Sequence, residues 1–166
     1  PRPGLVVPTD AFAGTVHAGL ACVDCHKDAA GSLPHAAELQ TPTCNSTCHT
    51  QQSSDFLQGA HAAAAAKDPT TAPNCVTCHG GHDIFPKTDR RSRTYPLSVA
   101  KLCGDCHRTH ASENGGLAAG KEGLNSVDSY LGSVHGRAVS QAGLIVAATC
   151  ADCHDAHKVL PSSDPN

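Results

Sequence analysis

The chain has 166 residues, the length of a single domain, and we treat residues 1–166 as one. With three Phe, two Tyr and neither Trp nor Met, it has few large apolar side chains for a core of that size. A net charge of -3 disfavours nucleic acid and anionic membrane surfaces as partners. No apolar run reaches the roughly 18 residues that predict a membrane span.

The first predicted element is an extended N-terminal arm, residues 1–11, which is either a docking segment or a disordered tail. An aromatic residue followed by four residues and a histidine comes next, and this pattern occurs three times. The three copies run from Phe12 to His17, from Phe56 to His61 and from Tyr130 to His135. One such histidine would be an ordinary residue, but three at the same spacing favour a role as ligands.

A Cys-x-x-Cys-His sequence occurs four times, and a fifth copy has one extra residue between its cysteines. The copies are numbered motifs 1 to 5 and begin at Cys22, Cys44, Cys75, Cys103 and Cys150. This sequence is the signature of covalent haem attachment, in which two thiols add to the vinyl groups and the histidine binds the iron. The attachment residues are therefore Cys22, Cys25, Cys44, Cys48, Cys75, Cys78, Cys103, Cys106, Cys150 and Cys153. Five covalently attached haem c groups are predicted.

Zinc sites and disulfides are the alternative uses of an even number of cysteines. Structural zinc uses paired Cys-x-x-Cys hooks, and exported proteins use disulfides. Neither requires a histidine directly after the second cysteine in every copy, so haem is favoured. Motif 2 departs from the usual pattern because three residues separate Cys44 from Cys48, and its haem is the one this departure puts in doubt.

Five porphyrins would supply the large apolar groups that the side chains do not, so we expect the haem-free chain not to fold. A helix capped by Ser54 or Asp55 is predicted to run through the alanines 62–66. A short helix from Lys101 to Thr109 is predicted to carry motif 4. The 15 Gly and 11 Pro indicate many turns.

Two charged or flexible segments lie between the later motifs. The basic cluster at residues 90–93 is either a solvated loop or a group that pairs with haem propionates. The Gly-rich stretch 113–123 is predicted to be a flexible loop.

An internal repeat spans residues 56–89 and 130–164. Each half carries the aromatic-x4-His pattern, a motif, and a further histidine three residues after the motif histidine. Repeating a haem-binding unit would extend a wire in one dimension.

Each iron needs a second axial ligand or an open position. The five motif histidines, His26, His49, His79, His107 and His154, are the proximal ligands. The distal candidates are His17, His35, His61, His82, His110, His135 and His157. Without Met, His/Met ligation is excluded, and seven candidates for five irons leave two surplus histidines.

Three distal candidates, His82, His110 and His157, follow a motif histidine by three residues. Residues at this spacing share one helix face, so the second imidazole cannot reach the far side of its own motif's haem. We therefore expect each Cys-x-x-Cys-His-x-x-His bracket to join two irons and to hold their haems close together.

These residues resemble the bis-histidine multihaem c-type cytochromes over nearly all of the chain from Phe12 to Asp164. The resemblance implies mostly irregular chain with short α-helices around a stack of covalent haems, and little or no β-sheet. It also implies an exported electron carrier, periplasmic or extracellular, whose partners are redox proteins or extracellular acceptors. Some members polymerise into extracellular cytochrome filaments.

Electron transfer is the predicted function, with no catalytic residue. The alternatives are a periplasmic shuttle, a reductase of nitrite, hydroxylamine or a sulfur oxyanion with one open haem, and a haem store. Superfamily reductases often carry Lys in place of a motif histidine, which no motif here does.

The second half of the repeat is not followed by a further motif, and the chain begins at Pro1 rather than Met, as after removal of a targeting segment. The missing motif and the two surplus histidines fit a head-to-tail filament in which His17 or His157 ligates a haem of the next copy. A truncated sequence or a monomeric shuttle would also fit them.

Overall fold

The computed structural model describes residues 7–31, 33–35, 38–45, 48–108 and 126–160. Within these ranges 47% of the residues are helical and there is no strand, so more than half of the described chain is turns and irregular segments. The expected short helices without a sheet are confirmed there. The Gly-rich stretch 113–123 and His110 lie outside the described residues, as does most of the predicted arm 1–11, which is helical from Thr9 onward.

The described ranges contain nine short α-helices. They are α1 (Thr9–Ala13), α2 (Cys22–Cys25), α3 (Thr50–Leu57), α4 (Ala60–Ala65), α5 (Cys75–His79), α6 (Pro96–His107), α7 (Ser126–Gly132), α8 (Val134–Ser140) and α9 (Cys150–His154). A 3-10 turn, Lys27–Ala30, follows α2. Of these helices, none is long and apolar enough to cross a membrane.

Motifs 1, 3 and 5 each begin a helix at their first cysteine, and the residue before the second cysteine stabilises the first turn. Asp24 accepts a hydrogen bond from the Ala21 N–H, and Asp152 accepts one from the Thr149 N–H, both at 2.7 Å. Thr77 holds the same position in motif 3 and accepts from the N–H before that motif at 3.1 Å. These contacts satisfy backbone donors that a helix start leaves unpaired, so the motif sequence also encodes its own short helix.

The single helix predicted from Ser54 or Asp55 through the alanines 62–66 is wrong. The chain instead forms α3 and α4, and both predicted caps lie inside α3. Gly59 separates the two helices because it packs directly on the backbone of Lys158. A Cβ at this position would lie 1.8 Å from the Lys158 carbonyl oxygen. The break is therefore set by a contact between the two halves of the repeat, which helix propensity does not report.

The helix predicted around motif 4 is confirmed but begins earlier than Lys101. It starts at Pro96, whose fixed φ and missing N–H suit the first helical position. This helix, α6, contacts α7, α8 and α9. Gly104 permits the approach of α7, since a Cβ there would lie 3.3 Å from Cγ1 of Val127. Helix α6 thereby brings motif 4 beside motif 5, which α9 carries.

The apolar core is small. Among the described residues the buried apolar side chains are Tyr95, Val127 and Val139, and no large side chain is fully buried. Large apolar side chains are exposed in many places, including Leu57 at 68% and Val146 at 82%. Packing between side chains is therefore a minor contributor to the stability of this fold.

Candidate haem-ligand site

Four pairs of imidazole rings lie at nearly the same separation, and each pair joins a motif histidine to a histidine outside the motifs. The centroid distances and interplanar angles are 5.9 Å and 14° for His26 and His82, 6.0 Å and 23° for His79 and His157, 6.1 Å and 51° for His61 and His107, and 6.0 Å and 66° for His17 and His49. Motifs 1 to 4 thus each have one partner imidazole.

The constant separation of the ring centroids indicates the kind of group that fits between the two imidazoles. The distance between rings in direct contact depends on whether they are stacked or edge-on, yet here it stays within 0.2 Å while the angle varies from 14° to 66°. Two imidazoles bound to opposite sides of one metal atom, with metal–nitrogen bonds of about 2 Å, have centroids about 6 Å apart at any rotation. The geometry therefore fits two axial ligands of one iron.

The residues present fit a covalently bound haem. All ten cysteines lie in the described residues and none forms a disulfide. Motif 2, despite its extra residue, has the same imidazole pair as the regular motifs. The exposed apolar side chains and the minimal core match a fold that is completed by large apolar groups. When bound, haem supplies an iron that accepts and releases one electron.

The brackets of motifs 3 and 5 do bring His82 and His157 against another motif's histidine, but not for the helical reason predicted. Helices α5 and α9 end at the motif histidine, and the next residue has positive φ, 85° at Gly80 and 65° at Asp155. The first and second histidines of a bracket therefore do not share a helix face. The sharp turn directs the second imidazole away from its own motif.

Carboxylates stabilise both turns. Asp83 accepts a hydrogen bond from the Gly81 N–H at 3.2 Å and forms an ion pair with Arg93 at 3.3 Å. Asp155 accepts from the backbone N–H groups of His157 at 2.8 Å and Lys158 at 3.1 Å. A local carboxylate thus holds the turn of each of these two brackets without any contribution from an iron.

The three aromatic-x4-His segments are elbows, named elbow 1 (residues 12–17), elbow 2 (56–61) and elbow 3 (130–135). In elbow 1 the Val16 N–H donates to the Ile84 carbonyl at 2.9 Å. In elbow 2 the Ala60 N–H donates to the Val159 carbonyl at 3.1 Å. Both acceptors lie two residues after the second histidine of a bracket. We call residues 82–84 and 157–159 the bracket tails.

These docking contacts explain which histidines meet. Elbow 1 precedes motif 1 and docks on the tail of motif 3, and elbow 2 precedes motif 3 and docks on the tail of motif 5. The tail histidines His82 and His157 then face motifs 1 and 3, the motifs that follow elbows 1 and 2. The elbow histidines His17 and His61 face motifs 2 and 4. Pairing therefore follows a period of two motifs.

Cysteines of successive motifs also lie close together. The Cys75 thiol lies near enough to Cys44 to raise its pKa, and the Cys150 thiol lies near enough to Cys103 to raise its pKa. Cys25 also lies near enough to Cys44 to raise its pKa, although burial is the main cause of that shift. Thiols of motifs 1 and 2, 2 and 3, 3 and 4, and 4 and 5 are thus near enough to shift one another's pKa. The attachment points form one series in sequence order.

Burial favours the neutral imidazoles that bind metals. It lowers the pKa of His61, and the neighbouring His107 lowers it further. Burial also lowers the pKa of His79, with smaller contributions from His157 and His49. These groups are thus held in the protonation state that a ligand needs.

Motif 5 differs from the other four. The Nδ1 atom of His154 lies 3.1 Å from the Leu160 carbonyl oxygen, which leaves Nε2 as its ligating atom. In the described part of the chain no second imidazole lies against His154 at the separation of the four pairs. Of the remaining candidates, His35 and His135 are exposed and His110 is outside the described ranges.

The basic cluster 90–93 lies in a turn. The Arg91 guanidinium lies 4.1 Å from the centroid of the Phe85 ring and 2.7 Å from Asp89. Arg93 pairs with Asp83. Two of its three arginines are therefore paired with carboxylates of the chain, which agrees with a solvated loop.

The residues that shape the motif helices and the elbows were not predicted from the sequence. The helix-starting side chains Asp24, Thr77 and Asp152 are visible in the sequence as the polar residue before the second cysteine, a capping signal. Gly59 has no comparable signal, because its role depends on a contact with Lys158, far along the chain. Within the described residues no cluster of three or more His, Cys, Asp or Glu side chains forms a site for a bare metal ion.

No protein-family model matches the chain, and neither a curated protein nor a solved structure matches it.

Proposed function

We propose that this protein is an exported electron carrier that transfers electrons along five closely spaced c-type haems. The observation that carries the proposal is the set of four imidazole pairs near 6 Å, each made of one motif histidine and one distal histidine. Irons with two histidine ligands have no free position for substrate, which suits transfer rather than catalysis.

The chain's own residues would make the haems into one series. The ten cysteines would fix the haem edges, and the proximity of Cys44 to Cys75 and of Cys103 to Cys150 would bring neighbouring attachment edges together. The brackets and elbows then hold the two imidazoles of each pair on different segments of chain. Each distal histidine lies on a docked elbow or bracket tail and cannot leave without undocking it, so the ligand sets would change little when the charge of the iron changes.

One observation favours a reductase as the second candidate. His154 has no partner imidazole in the described ranges, so the iron of motif 5 would have a position for an exchangeable ligand. A reductase of nitrite, hydroxylamine or a sulfur oxyanion would use such a position together with nearby acid and base groups. Turnover of one of these substrates by the purified holoprotein would support this candidate, and its absence would leave the carrier.

Self-association into a filament remains part of the proposal, but the histidines that would bridge two copies are different ones. His17 and His157, the histidines expected to bridge copies, lie against His49 and His79 of the same chain. A bridging role therefore passes to the exposed His35 or His135. A location outside the cell or in the periplasm, and partners that are redox proteins or extracellular acceptors, also remain proposals.

Intact mass spectrometry of protein matured with haem tests the proposal. We expect the polypeptide mass plus five haem groups that survive acid–acetone extraction. We also expect the optical spectrum to be dominated by low-spin ferric haem with a negative, broad redox envelope. A mass without haem, or with zinc instead, would refute the carrier. A mass with four haems would place the error first at Cys44 and Cys48.

A further inference from the structure

The basic cluster 90–93 contacts the bracket tail of motif 3. The Arg93 guanidinium forms an ion pair with Asp83 at 3.3 Å, and Asp83 directly follows the distal histidine His82. The other oxygen of this carboxylate accepts a hydrogen bond from a backbone N–H of the preceding turn at 3.2 Å. Arg93 is therefore joined to the turn that directs His82 towards His26.

Arg91 joins elbow 1 to the same part of the chain. Its guanidinium lies 4.1 Å from the centroid of the Phe85 ring, and Asp89 fixes its orientation by accepting hydrogen bonds at 2.7 Å and 3.1 Å. Elbow 1 packs on this cation–ring pair at Gly14. A Cβ at Gly14 would lie 3.3 Å from Nη1 of Arg91 and 3.7 Å from Cε1 of Phe85. The histidine of elbow 1, His17, is three residues further along the chain.

Elbow 1 needs these side-chain contacts because it cannot dock as closely as elbow 2. Elbow 1 has Thr15 at the position where elbow 2 has Gly59. A Cβ at Gly59 would lie 1.8 Å from a backbone oxygen of the tail, so a threonine does not fit the same approach. Elbow 1 is instead held on its tail by the Val16 N–H hydrogen bond and by the side chains of the basic cluster.

We propose that two arginines of the basic cluster are positioning residues for distal haem ligands. Arg93 acts on His82, the ligand of the iron at motif 1, and Arg91 acts on His17, the ligand of the iron at motif 2. This inference rests on the proposed function. The ion pair of Arg93 is half-exposed, with 47% of the Arg93 side chain accessible. It therefore contributes little to global stability, but it shifts the balance between bound and dissociated His82.

Cyanide is the probe, because it competes with a distal histidine for ferric iron. Its apparent affinity rises with the fraction of that iron from which the histidine has dissociated. Arg93→Ala is expected to raise the cyanide affinity of one iron per chain about threefold, the loss of one exposed ion pair. Losing a positive charge would by itself weaken the binding of an anion, so the sign of the change separates the two effects. Optical titration and EPR of the ferric holoprotein measure the affinity.

Matched variants identify the route of the effect. Arg90→Ala is the control, because Arg90 carries the same charge but forms no ion pair with a described residue, and it should not raise the affinity. Arg93→Lys keeps the charge and should restore the wild-type value. In a His82→Ala background Arg93→Ala should have no effect, since the histidine through which it acts is gone. Arg91→Ala should act on a second iron and lose its effect with His17→Ala.

Three results would overturn this inference. They are the same cyanide affinity for Arg93→Ala and Arg90→Ala, an effect of Arg93→Ala that persists without His82, and a lower thermal stability with unchanged cyanide affinity. The last would show a purely structural role. In each case the holoprotein would keep its five haems and its low-spin spectrum, and the proposed function would stand. Absence of haem from the wild-type protein would instead refute the proposed function.

Discussion

His82 and His157 show how one residue decides which units of this chain are joined. Each follows a motif histidine by three residues, but each lies against the motif histidine of an earlier unit, at 5.9 Å and 6.0 Å. The positive φ of the intervening Gly80 or Asp155 makes this possible. A bracket therefore ties two motifs together rather than closing on itself.

Replacing His82 by Ala should affect the iron of motif 1 and no other. Because His82 faces His26, we expect one low-spin haem per chain to become high spin, while all five haems stay attached. Optical and EPR spectra of the holoprotein measure the change. His157→Ala is the matched comparison, since His157 faces His79 and its loss should convert the iron of motif 3 instead. An unchanged number of low-spin haems in His82→Ala, or a new high-spin haem at a motif other than motif 1, would contradict the pairing.

The interplanar angles predict two kinds of low-spin haem. Near-parallel imidazoles, 14° at His26 and His82, act on the same iron d orbital and give a rhombic EPR signal. Steeply inclined imidazoles, 66° at His17 and His49, act on different d orbitals and give a more anisotropic signal. We expect His82→Ala to remove intensity from the rhombic signal and His17→Ala to remove it from the most anisotropic one. The reverse pattern would show that the angles are wrong.

The motif spacing was enough to select the attachment cysteines, the motif histidines and the distal candidates, four of which lie against a motif histidine. It did not predict which distal histidine meets which motif. That pairing depends on elbows docking on tails far along the chain. The Ala60 N–H donates to the Val159 carbonyl, and this contact positions the next residue, His61, which lies against His107. Spacing within a motif carries no record of such a contact.

The elbow between α3 and α4 packs directly on the second half of the repeat. The carbonyl of Lys158 occupies the space where a side chain at Gly59 would begin. The contact holds the second half of the repeat against the first. It also fixes His61, two residues after Gly59, at the start of α4.

Gly59→Ala should therefore displace the bracket tail of motif 5. We expect it to lower the free energy of unfolding of the holoprotein by about 2 kcal/mol, the usual cost of overpacking, and to broaden the low-spin signals of the irons at His79 and His107. Thermal unfolding and EPR measure the two effects. Gly19→Ala is the matched control, because nothing lies within 4 Å of a Cβ there. Equal stability of the two variants would contradict the docked elbow.

Helix positions were partly predictable from local signals. Pro96 begins α6 and the polar residue before the second cysteine starts α2, α5 and α9, all by ordinary capping rules. The break at Gly59 defeated the prediction of one long helix, because the alanines 62–66 favour helix wherever the chain is free to form it. Tertiary contact overrode propensity at that point.

For the molecule as a whole, the small core has a thermodynamic consequence. With Tyr95, Val127 and Val139 as the buried apolar side chains of the described residues, side-chain packing alone offsets little of the entropy of ordering the chain. The haems would provide the missing apolar contacts, and their attachment would be coupled to folding.

The haem-free chain should consequently be unfolded. Expressed without haem attachment and kept reduced, it is expected to show weak helical circular dichroism and no cooperative thermal transition, whereas the matured protein shows both. A cooperative transition in the haem-free chain would contradict this. It would mean that the polypeptide contains a sufficient core by itself.

The order of the motifs in space was not available from the sequence. The thiols of successive motifs lie near enough to shift one another's pKa, which orders motifs 1 to 5 as one series, while the brackets also join motif 1 to 3 and 3 to 5. Motif 3 is therefore joined to both motif 1 and motif 5. The repeat alone predicted a one-dimensional arrangement but not these links between motifs.

The central claim is that paired imidazoles on docked elbows and brackets hold the haem irons. An anomalous-scattering map of the crystallised holoprotein, recorded at the iron absorption edge, tests it most directly. We expect five iron peaks. Four should lie midway between His26 and His82, His17 and His49, His79 and His157, and His61 and His107, and the fifth should lie beside His154. Irons lying between other histidine pairs, or no iron peaks at the motifs, would contradict it.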